Sequence, residues 1–349
     1  MMKKRIEWID VTKGIAIFMM IAGHIALLPW EPYGKIIFSV HMPLFFILSG
    51  YTSKREFSWG YLKKLWNSLL VPYFLCMLVE ILLYSITSDI IWTSEIKRAF
   101  WASGVPANYG PGVPIWGENE NFSTVGAIWF LPCMFWCKFF FSMILKYTEK
   151  WHKNIRHSII ILIVCSGYFI GQKYKLPMGI DIAAFSIGFM YAGYVIKKEN
   201  IMDKKIISLG IGSMILWYFA IRCDGIELSA RYYREFPACI FSFFGAIAGT
   251  YVLAILSKEI IVHMWFIKEI CLFFGKNSLL MLCIHHLEGD FISLESIITN
   301  AVTQLDIKWV FLLVIFAKIA FVGVVGYMIL KIKRIVLEVR QRKNYEKIL

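Results

Sequence analysis

Charged residues are scarce in this chain. They make up 17% of its 349 residues, whereas about 25% is usual for a soluble globular protein. Hydrophobic residues reach 58%, aromatic residues 17%, and the mean hydropathy is +0.63. Several apolar runs attain the roughly 18–20 residues that cross a bilayer. The scarcity of charge excludes an ordinary soluble domain, and we predict an all-α, polytopic integral membrane protein built as a helical bundle.

Patterns that would indicate other chemistry are also missing. No CxxC pair occurs among the eight cysteines, and only Cys223 falls clearly in an outer connection, so no disulfide framework is expected. Cys133 and Cys137 are one helical turn apart, and two packing thiols are a better interpretation than two metal ligands. No HxxH or HxxxH pair is present, so we predict no metal site. The first apolar run is too long for a signal-peptide core and is expected to remain as a span.

Ten apolar segments are predicted to cross the bilayer as helices, because a helix satisfies its own backbone hydrogen bonds in lipid. The net charge of +13 does not indicate a nucleic-acid partner, since basic residues commonly flank the cytoplasmic ends of spans. The segments are 9–29, 36–52, 65–86, 126–145, 158–172, 181–196, 206–221, 238–256, 271–287 and 308–330.

The distribution of lysine and arginine predicts the orientation. With the N-terminus in the cytoplasm, 24 of the 37 basic residues fall in inner segments, nine in outer segments and four within spans. Both termini are therefore expected to be cytoplasmic, in a multi-pass protein of the cell membrane. Residues 1–330 then form one transmembrane domain, and residues 331–349 form a basic cytoplasmic tail. The longest connection, 87–125, is rich in Gly, Pro and Asn and is expected to be an external binding loop.

The first predicted span contains the stretch IDVTKGIAIFMMIAGHI, in which three ionisable residues follow one stripe. Lys13 and His24 are eleven residues apart, which leaves them within about 20° of one helix face and about 16 Å apart along the axis. Asp10 precedes Lys13 by one turn. Such residues are costly in lipid and usually face a protein interior or a water-filled path. The stripe predicts a lined cavity, with Lys13 near its cytoplasmic mouth and His24 deeper.

Three more histidines and a glutamate are predicted at a similar depth. His41 lies about as far from the short first turn as His24 does, so two antiparallel spans place both rings in the outer half of the membrane. The ninth span climbs outward to His285 and His286, and Glu80 belongs to the outer part of the third span. A single histidine in a span is more often a packing residue. The shared face of the first stripe, together with His41 at matching depth, favours a functional site.

Other polar and aromatic residues have structural interpretations. Lys138 and Lys318 are expected to be structural, either as partners of a carboxylate or as side chains that snorkel to the interface. Asp181 is a candidate counter-charge. The aromatic residues of outer segments are explained by an interfacial belt at least as well as by stacking on sugar rings. They are Trp101, Tyr109, Trp116, Trp129, Tyr232 and Tyr233.

Two N-terminal stretches resemble a known signature. IDVTKGIAIFMMIAGH followed by HMPLFFILSGY is similar to the N-terminal signature of the membrane-bound acyltransferase 3 family, and closest to its fucose 4-O-acetylase-like branch. Three later stretches support the resemblance, which covers nearly the whole chain and includes the ten-span layout. These are IWFLPCMF at 128–135, DIAAFSIGFMYAGYVI at 181–196 and FGKNSLLMLCIHH at 274–286.

The resemblance carries over to individual residues. In most of the family a basic residue, usually arginine, precedes an essential histidine by ten intervening residues. Lys13 and His24 keep this spacing, with lysine in place of arginine as in the fucose-acetylase-like branch. Lysine lacks the bidentate fork of arginine. The family's Phe-Phe-x-x-Ser-Gly motif is intact, as Phe45, Phe46, Ser49 and Gly50.

The resemblance also implies a reaction: transfer of an acyl group, most simply acetyl, from cytoplasmic acyl-CoA to a hydroxyl of an envelope or surface carbohydrate. The expected partners are acyl-CoA as donor substrate, a carbohydrate acceptor and the lipid bilayer, with no bound cofactor and no nucleic acid. His24 is expected to act as general base or transient acyl carrier, with Lys13 as a donor-binding cation and His41 as a second polar group. Asp10 joins the Phe-Phe-x-x-Ser-Gly residues as a candidate along the donor path. Candidate acceptor-binding or supporting residues are Glu80, Trp129, Asn277, His285 and His286.

The alternative is an uptake module without chemistry, for a small polar solute or a glycan precursor. Transporters often place broken helices at matching positions of two repeats, and no such internal symmetry is visible in this sequence. The catalytic interpretation is favoured, because transport leaves the spacing of Lys13 and His24 unexplained. The acceptor sugar, the acyl group and the oligomeric state stay open.

The orientation can be tested by cysteine labelling. In a Cys223→Ser background, Asn119→Cys is expected to react with a membrane-impermeant maleimide on intact cells. Lys153→Cys, on the predicted inner side, should react only after permeabilisation. The reverse pattern would invert the predicted topology.

Overall fold

Helices dominate the structure, a computed structural model that describes residues 5–26, 33–87, 91–105, 112–115, 123–204, 207–223, 225–228 and 238–346. The predicted all-α class is confirmed. Within these residues there are fifteen α-helices: α1 (Glu7–Gly23), α2 (Lys35–Phe38), α3 (His41–Thr52), α4 (Trp59–Leu65), α5 (Val71–Thr87), α6 (Trp92–Trp101), α7 (Phe130–Tyr147), α8 (Lys153–Lys173), α9 (Ile180–Lys198), α10 (Ile207–Arg222), α11 (Ala238–His263), α12 (Trp265–Lys276), α13 (Ser278–Leu287), α14 (Leu294–Ala301) and α15 (Ile307–Glu346).

Every predicted span falls on one of these helices or on an adjoining pair. Among the described residues, seven helical segments are long and apolar enough to cross a membrane, or eight when the bent pair α12–α13 is counted as one span. Helices α1 and α10 are shorter, at 17 and 16 residues. The molecule is thus a multi-pass membrane protein, while the count of ten spans and the sidedness of the termini stay predictions.

The ninth predicted span, 271–287, is not a single straight helix. The chain bends by 79° between α12 and α13. Asn277 lies at the bend, where its Nδ2 donates a hydrogen bond to the carbonyl of Phe273 at 2.8 Å. A side chain that satisfies a carbonyl of the last turn competes with continuation of the helix. The apolar pattern of the sequence gave no sign of this break.

Helix α1 also ends earlier than the predicted boundary at residue 29. Its last residue is Gly23, and the backbone N–H of His24 donates to the carbonyl of Met20. Helix α12 runs parallel to α1, because Lys268 pairs with Glu7 at 3.7 Å and the ring of Phe274 lies 4.7 Å from that of Phe18. His24, directly after α1, and His285, near the end of α13, come to the same end of the bundle, with their rings 5.4 Å apart.

The close crossing of α3 and α9 depends on glycine. A Cβ at Gly50 would overlap the carbonyl of Met190, and one at Gly193 would overlap the carbonyl of Ile47. Small residues allow helix backbones to approach at such crossings within membranes. The Ser-Gly end of the Phe-Phe-x-x-Ser-Gly motif is thus placed where α3 meets α9.

The largest cluster of buried side chains surrounds α7. Phe141 of α7, Phe46 of α3 and Phe189 of α9 are each inaccessible to solvent. At the end of α8, a two-residue parallel pairing joins β1 (Val113–Pro114) to β2 (Tyr174–Lys175) and fixes a part of the long connection 87–125.

Substitution at the crossing provides a test of the packing. Gly50→Val is expected to destabilise the protein by about 1–3 kcal/mol or more, because the side chain has no room and the backbones must separate. The matched control is Gly210→Val, since a Cβ at Gly210 meets nothing within 4 Å. Thermal unfolding in detergent measures both variants. Equal midpoints would contradict the close contact of α3 with α9.

Candidate active site

An internal cavity of about 150 Å³ lies between α1, α3, α7 and α13. Six of the residues singled out from the sequence line it: Lys13, His24, His41, Phe45, Ser49 and Trp129. The walls between the ionisable residues are mostly apolar, from side chains such as Ile17 and Met134. The cavity extends along α1 from Lys13 to His24, a rise of about 16 Å for eleven residues of helix.

The imidazole of His24 is held in one orientation by its own helix. Its Nδ1 lies 2.8 Å from the carbonyl oxygen of Met20. A carbonyl can only accept, so Nδ1 carries the proton and donates, and in the neutral ring Nε2 is left as the acceptor. His24 also keeps solvent-accessible surface, although it lies within the bundle and lines the cavity.

His41 has the same local arrangement. Its Nδ1 donates to the carbonyl of Ile37 at 2.9 Å, and its ring makes an edge-to-face contact with the ring of Phe38. His41 is 4% exposed, so its contact with the outside passes through the cavity. A Cβ at Gly23, the residue before His24, would lie 3.5 Å from the ring of Phe38, which contacts His41. Two imidazoles with Nε2 as the free nitrogen thus belong to one end of the cavity.

Behind His24 lies a buried charged cluster that includes two residues outside the predicted site. The ring of His285 is 5.4 Å from that of His24, and its Nδ1 is 3.7 Å from Glu288 Oε2. Lys318 Nζ donates to both oxygens of Glu288, at 3.0 and 2.8 Å. Glu288 and Lys318 are 1% and 3% exposed. Lys318 is therefore paired with a carboxylate, which was one of its two structural interpretations.

Glu80 belongs to a second buried cluster, in the C-terminal half of α5. It accepts from Arg98 Nη1 through Oε1, and its Oε2 lies 3.1 Å from His286 Nε2. Arg98 also donates to Glu95 Oε2 at 2.8 Å. Arg98 comes from α6 in the long connection, and the sequence offered no periodicity that would place it inside the protein. The partly exposed carboxylate of Asp290 lies 3.7 Å from Nε2 of the buried His286.

Lysines gather at the other end of the cavity. Lys138 of α7 lines it together with Lys13. Lys13 interacts with Asp10, whose carboxylate is also 3.8 Å from Arg5. Among the described residues, no hydrogen bond or ion pair joins Lys138 to a carboxylate. The sequence interpretation of Lys138 as a structural lysine missed this position on the cavity wall.

The loop after α10 supplies another cavity residue that the sequence did not indicate. Gly225 has φ +65° and packs against the backbone of Ser39, a conformation that glycine adopts without strain. The loop then carries Glu227 into the cavity wall. Burial raises the pKa of the Glu227 carboxyl above its usual range.

Other predicted residues lie away from the cavity. Phe46 packs against Phe130 in the core, Gly50 lies at the α3–α9 crossing, and Asn277 is at the bend, where the next residue, Ser278, lines the cavity. Asp181, in the first turn of α9, accepts a hydrogen bond at 3.3 Å from the backbone N–H of Leu176, which precedes that helix. Trp101 is 5% exposed. Tyr109, Trp116, Tyr232 and Tyr233 lie outside the described residues.

One group of side chains has the composition of a metal site. Ligand atoms of Glu80, His286 and Asp290 all lie within 4.8 Å of one another. Both oxygens of Glu80 are already engaged, one by Arg98 and the other by His286. The histidine spacing considered in the sequence does not capture such a group, because its members come from separate helices.

A helical bundle that encloses ionisable residues around an internal cavity defines a class of polytopic membrane protein with a site inside the membrane. The chain belongs to the acyltransferase 3 family, whose acyltransferase domain matches residues 6–331. This assignment makes the protein a membrane acyltransferase and confirms the resemblance at the family level. The fucose 4-O-acetylase-like branch stays a prediction. Comparisons with curated proteins and with solved structures gave no match.

The buried pair of Glu288 and Lys318 generates a stability test. Lys318→Met is expected to cost about 3–5 kcal/mol, because it leaves the Glu288 carboxylate buried without its counter-charge. Adding Glu288→Gln should recover most of the loss. Lys331→Met, at an exposed position of the same helix, is the matched control. Thermal unfolding in detergent distinguishes these variants, and additive losses in the double variant would contradict a direct pair.

Proposed function

We propose that this protein transfers an acetyl group from cytoplasmic acetyl-CoA to a hydroxyl group of an envelope carbohydrate. The observation that carries the proposal is the cavity, which joins a pair of lysines to an imidazole with an available Nε2. Membership of the acyltransferase 3 family supplies the general reaction. The donor, the acceptor and the roles below are our assignments.

The lysine end of the cavity suits the anionic end of the donor. Lys13 and Lys138 line the cavity from two different spans, and two cations at such a place are costly unless an anion is bound. The phosphates of CoA offset that cost. The long, thin pantetheine arm then follows the apolar walls, and the thioester reaches the histidine end about 16 Å further along α1.

His24 acts as the general base. Its Nε2 takes the proton of the acceptor hydroxyl as that oxygen attacks the thioester carbonyl. The C–S bond breaks, and the proton passes from His24 to the leaving thiolate of CoA. Because the hydrogen bond from Nδ1 to Met20 holds the ring, Nε2 needs no reorientation between accepting the proton and returning it.

Nearby groups position this base and the reacting atoms. The ring of His285 packs against that of His24. Glu288 lies next to His285 and is paired with Lys318, so a fixed charged cluster supports the ring of His24 from behind. His41 presents a second Nε2 at the same end and is assigned to orient the acceptor hydroxyl or the tetrahedral intermediate.

Transport without chemistry has one observation in its favour. The 79° break between α12 and α13 resembles the interrupted helices that transporters use at their binding sites. Reconstituted protein that moves a solute across vesicles but never consumes acetyl-CoA would support transport and contradict the acetyltransferase.

The catalytic role of His24 predicts a large loss of transfer. His24→Ala is expected to lower the transfer of radiolabelled acetyl from acetyl-CoA to envelope glycan by about 10²–10⁴-fold. His263→Ala is the control, because His263 is exposed on α11 and pairs only with Glu259 among the described residues. Equal transfer by His24→Ala would exclude His24 as the base. Label retained on the histidine before acceptor is added would indicate an acyl-histidine route instead.

The lysine end of the cavity can be tested with a truncated donor. Lys13→Ala and Lys138→Ala are each expected to raise KM for acetyl-CoA about tenfold, which corresponds to about 1.4 kcal/mol of lost binding. KM for acetyl-pantetheine, which lacks the phosphates, should change little. Lys276→Ala, an exposed lysine at the end of α12, is the control. Parallel losses with both donors would place the phosphates elsewhere.

A further inference from the structure

A second cavity, of about 530 Å³, lies beyond the outer end of the first. The turn Gly126–Trp129 separates the two: Gly126 lines the second cavity, whereas Ala127 and Trp129 line the first. In the predicted orientation this second cavity faces the outside. We call it the outer cavity. Its polar and charged wall consists of Glu80, Tyr84, Ser94, Glu95, Arg98, Ser123, Thr124 and Asp290.

The outer cavity is built around a buried ion pair. Glu80 and Arg98 have side chains that are 0% and 4% exposed, and they are joined through Oε1 and Nη1. Nη1 of Arg98 also donates to the carbonyl of Thr124 at 3.1 Å, and its Nε donates to Glu95. These bonds hold α6 and the residues before α7 against α5. The wall is therefore pre-formed rather than assembled from mobile surface side chains.

Part of this polar wall is left with hydrogen-bonding capacity. The guanidinium of Arg98 is taken up by the protein itself, because its Nη2 lies 2.7 Å from Glu95 Oε2 and its Nη1 pairs with Glu80. The Asp290 carboxylate, 32% exposed, is the neighbouring acceptor. The Asp290 carboxylate and the exposed Ser94 hydroxyl are thus offered to an occupant.

The chemistry of the wall selects the occupant. Three carboxylates against one guanidinium disfavour an anion, and the polar lining disfavours an acyl chain. A metal ion would compete with Arg98 and His286 for oxygens of Glu80 that are already bonded. The Asp290 carboxylate and the hydroxyl of Ser94 match the vicinal hydroxyls of a sugar, and Ile91 supplies apolar surface for its less polar face.

We propose that the outer cavity binds a neutral, hydroxyl-rich saccharide, namely the sugar unit adjoining the one that is acylated. Its role in transfer rests on the proposed function, whereas binding itself does not. The cavity contacts the machinery of the inner site: a Cβ at Gly126 would lie 2.9 Å from His286 Nδ1, and the neighbouring His285 touches His24. A chain held here leads the next unit past the 126–129 turn toward His24.

Thermal unfolding of the full-length, detergent-solubilised protein tests binding directly. The probe is the oligosaccharide fraction released by mild acid from the envelope of cells that lack this protein, because this protein has not acylated that material. A ligand that binds only the folded state raises the midpoint in proportion to ln(1 + [L]/Kd). Asp290→Asn, at a partly exposed position, is expected to weaken the fitted affinity at least tenfold, and Ser94→Ala about threefold. Glu259→Gln, an exposed acid at the end of α11, should bind as wild type does.

Each outcome decides the proposal. No stabilisation of the wild type, or equal affinity in Asp290→Asn, would overturn it. Stabilisation by Mn²⁺ or Ca²⁺ alone that is lost in Asp290→Asn, without any effect of the oligosaccharides, would overturn it in favour of a metal site. Saccharide binding that depends on Asp290 supports it. If such binding occurs while acetyl-CoA is never consumed, the outer cavity stands and the proposed acetyl transfer fails.

Discussion

The constraint behind this structure is the cost of placing charge within a membrane. Glu288 with Lys318, and Glu80 with Arg98, are buried and joined by direct hydrogen bonds. Leaving one member of such a pair alone costs several kcal/mol, so the helices that carry them must meet. The first pair connects α15 to the segment after α13, and the second connects α5 to α6. The contact of Glu80 with His286 joins α5 to α13. They surround the histidines, and the cavity geometry depends on them.

Two cavities then share one partition. The inner cavity has lysines at one end and imidazoles at the other, with apolar walls between them. The outer cavity is lined mainly by polar and charged side chains, together with Ile91, and Gly126 of the partition is part of its wall. The partition is a single short turn, 126–129, backed by His285 and His286. This arrangement suits a reaction in which two substrates of unlike polarity approach from opposite sides.

Much of the helical layout and part of the site could be predicted from the sequence, for a physical reason. Hydropathy reports each span separately, and helical periodicity relates residues of one helix, so Lys13 and His24 could be placed on one face. The bend at Asn277 was missed because an asparagine side-chain hydrogen bond leaves no trace in hydropathy. Pairs that join separate helices, such as Glu288 with Lys318, have no local pattern. Arg98 was missed because it lies on a polar helix of a long connection, where burial is set by tertiary contacts.

Lys138 is another residue whose role depends on contacts between separate helices. A lysine in an apolar helix usually snorkels or pairs with a carboxylate, and nothing in the sequence around α7 indicates a cavity. Its position becomes informative only when Lys13 of α1 is brought to the same wall. The geometry of the cavity, rather than any one residue, is the basis for assigning an anionic donor to that end.

The central claim is that the donor enters from the lysine end and the acceptor from the other side. Sealed vesicles of known protein orientation measure this directly, with radiolabelled acetyl-CoA supplied on one side only and acceptor oligosaccharide on the other. The account predicts labelled oligosaccharide when acetyl-CoA is on the side of the Lys13 end, and none when the two substrates are exchanged. Labelling only when both substrates are on the same side would contradict it.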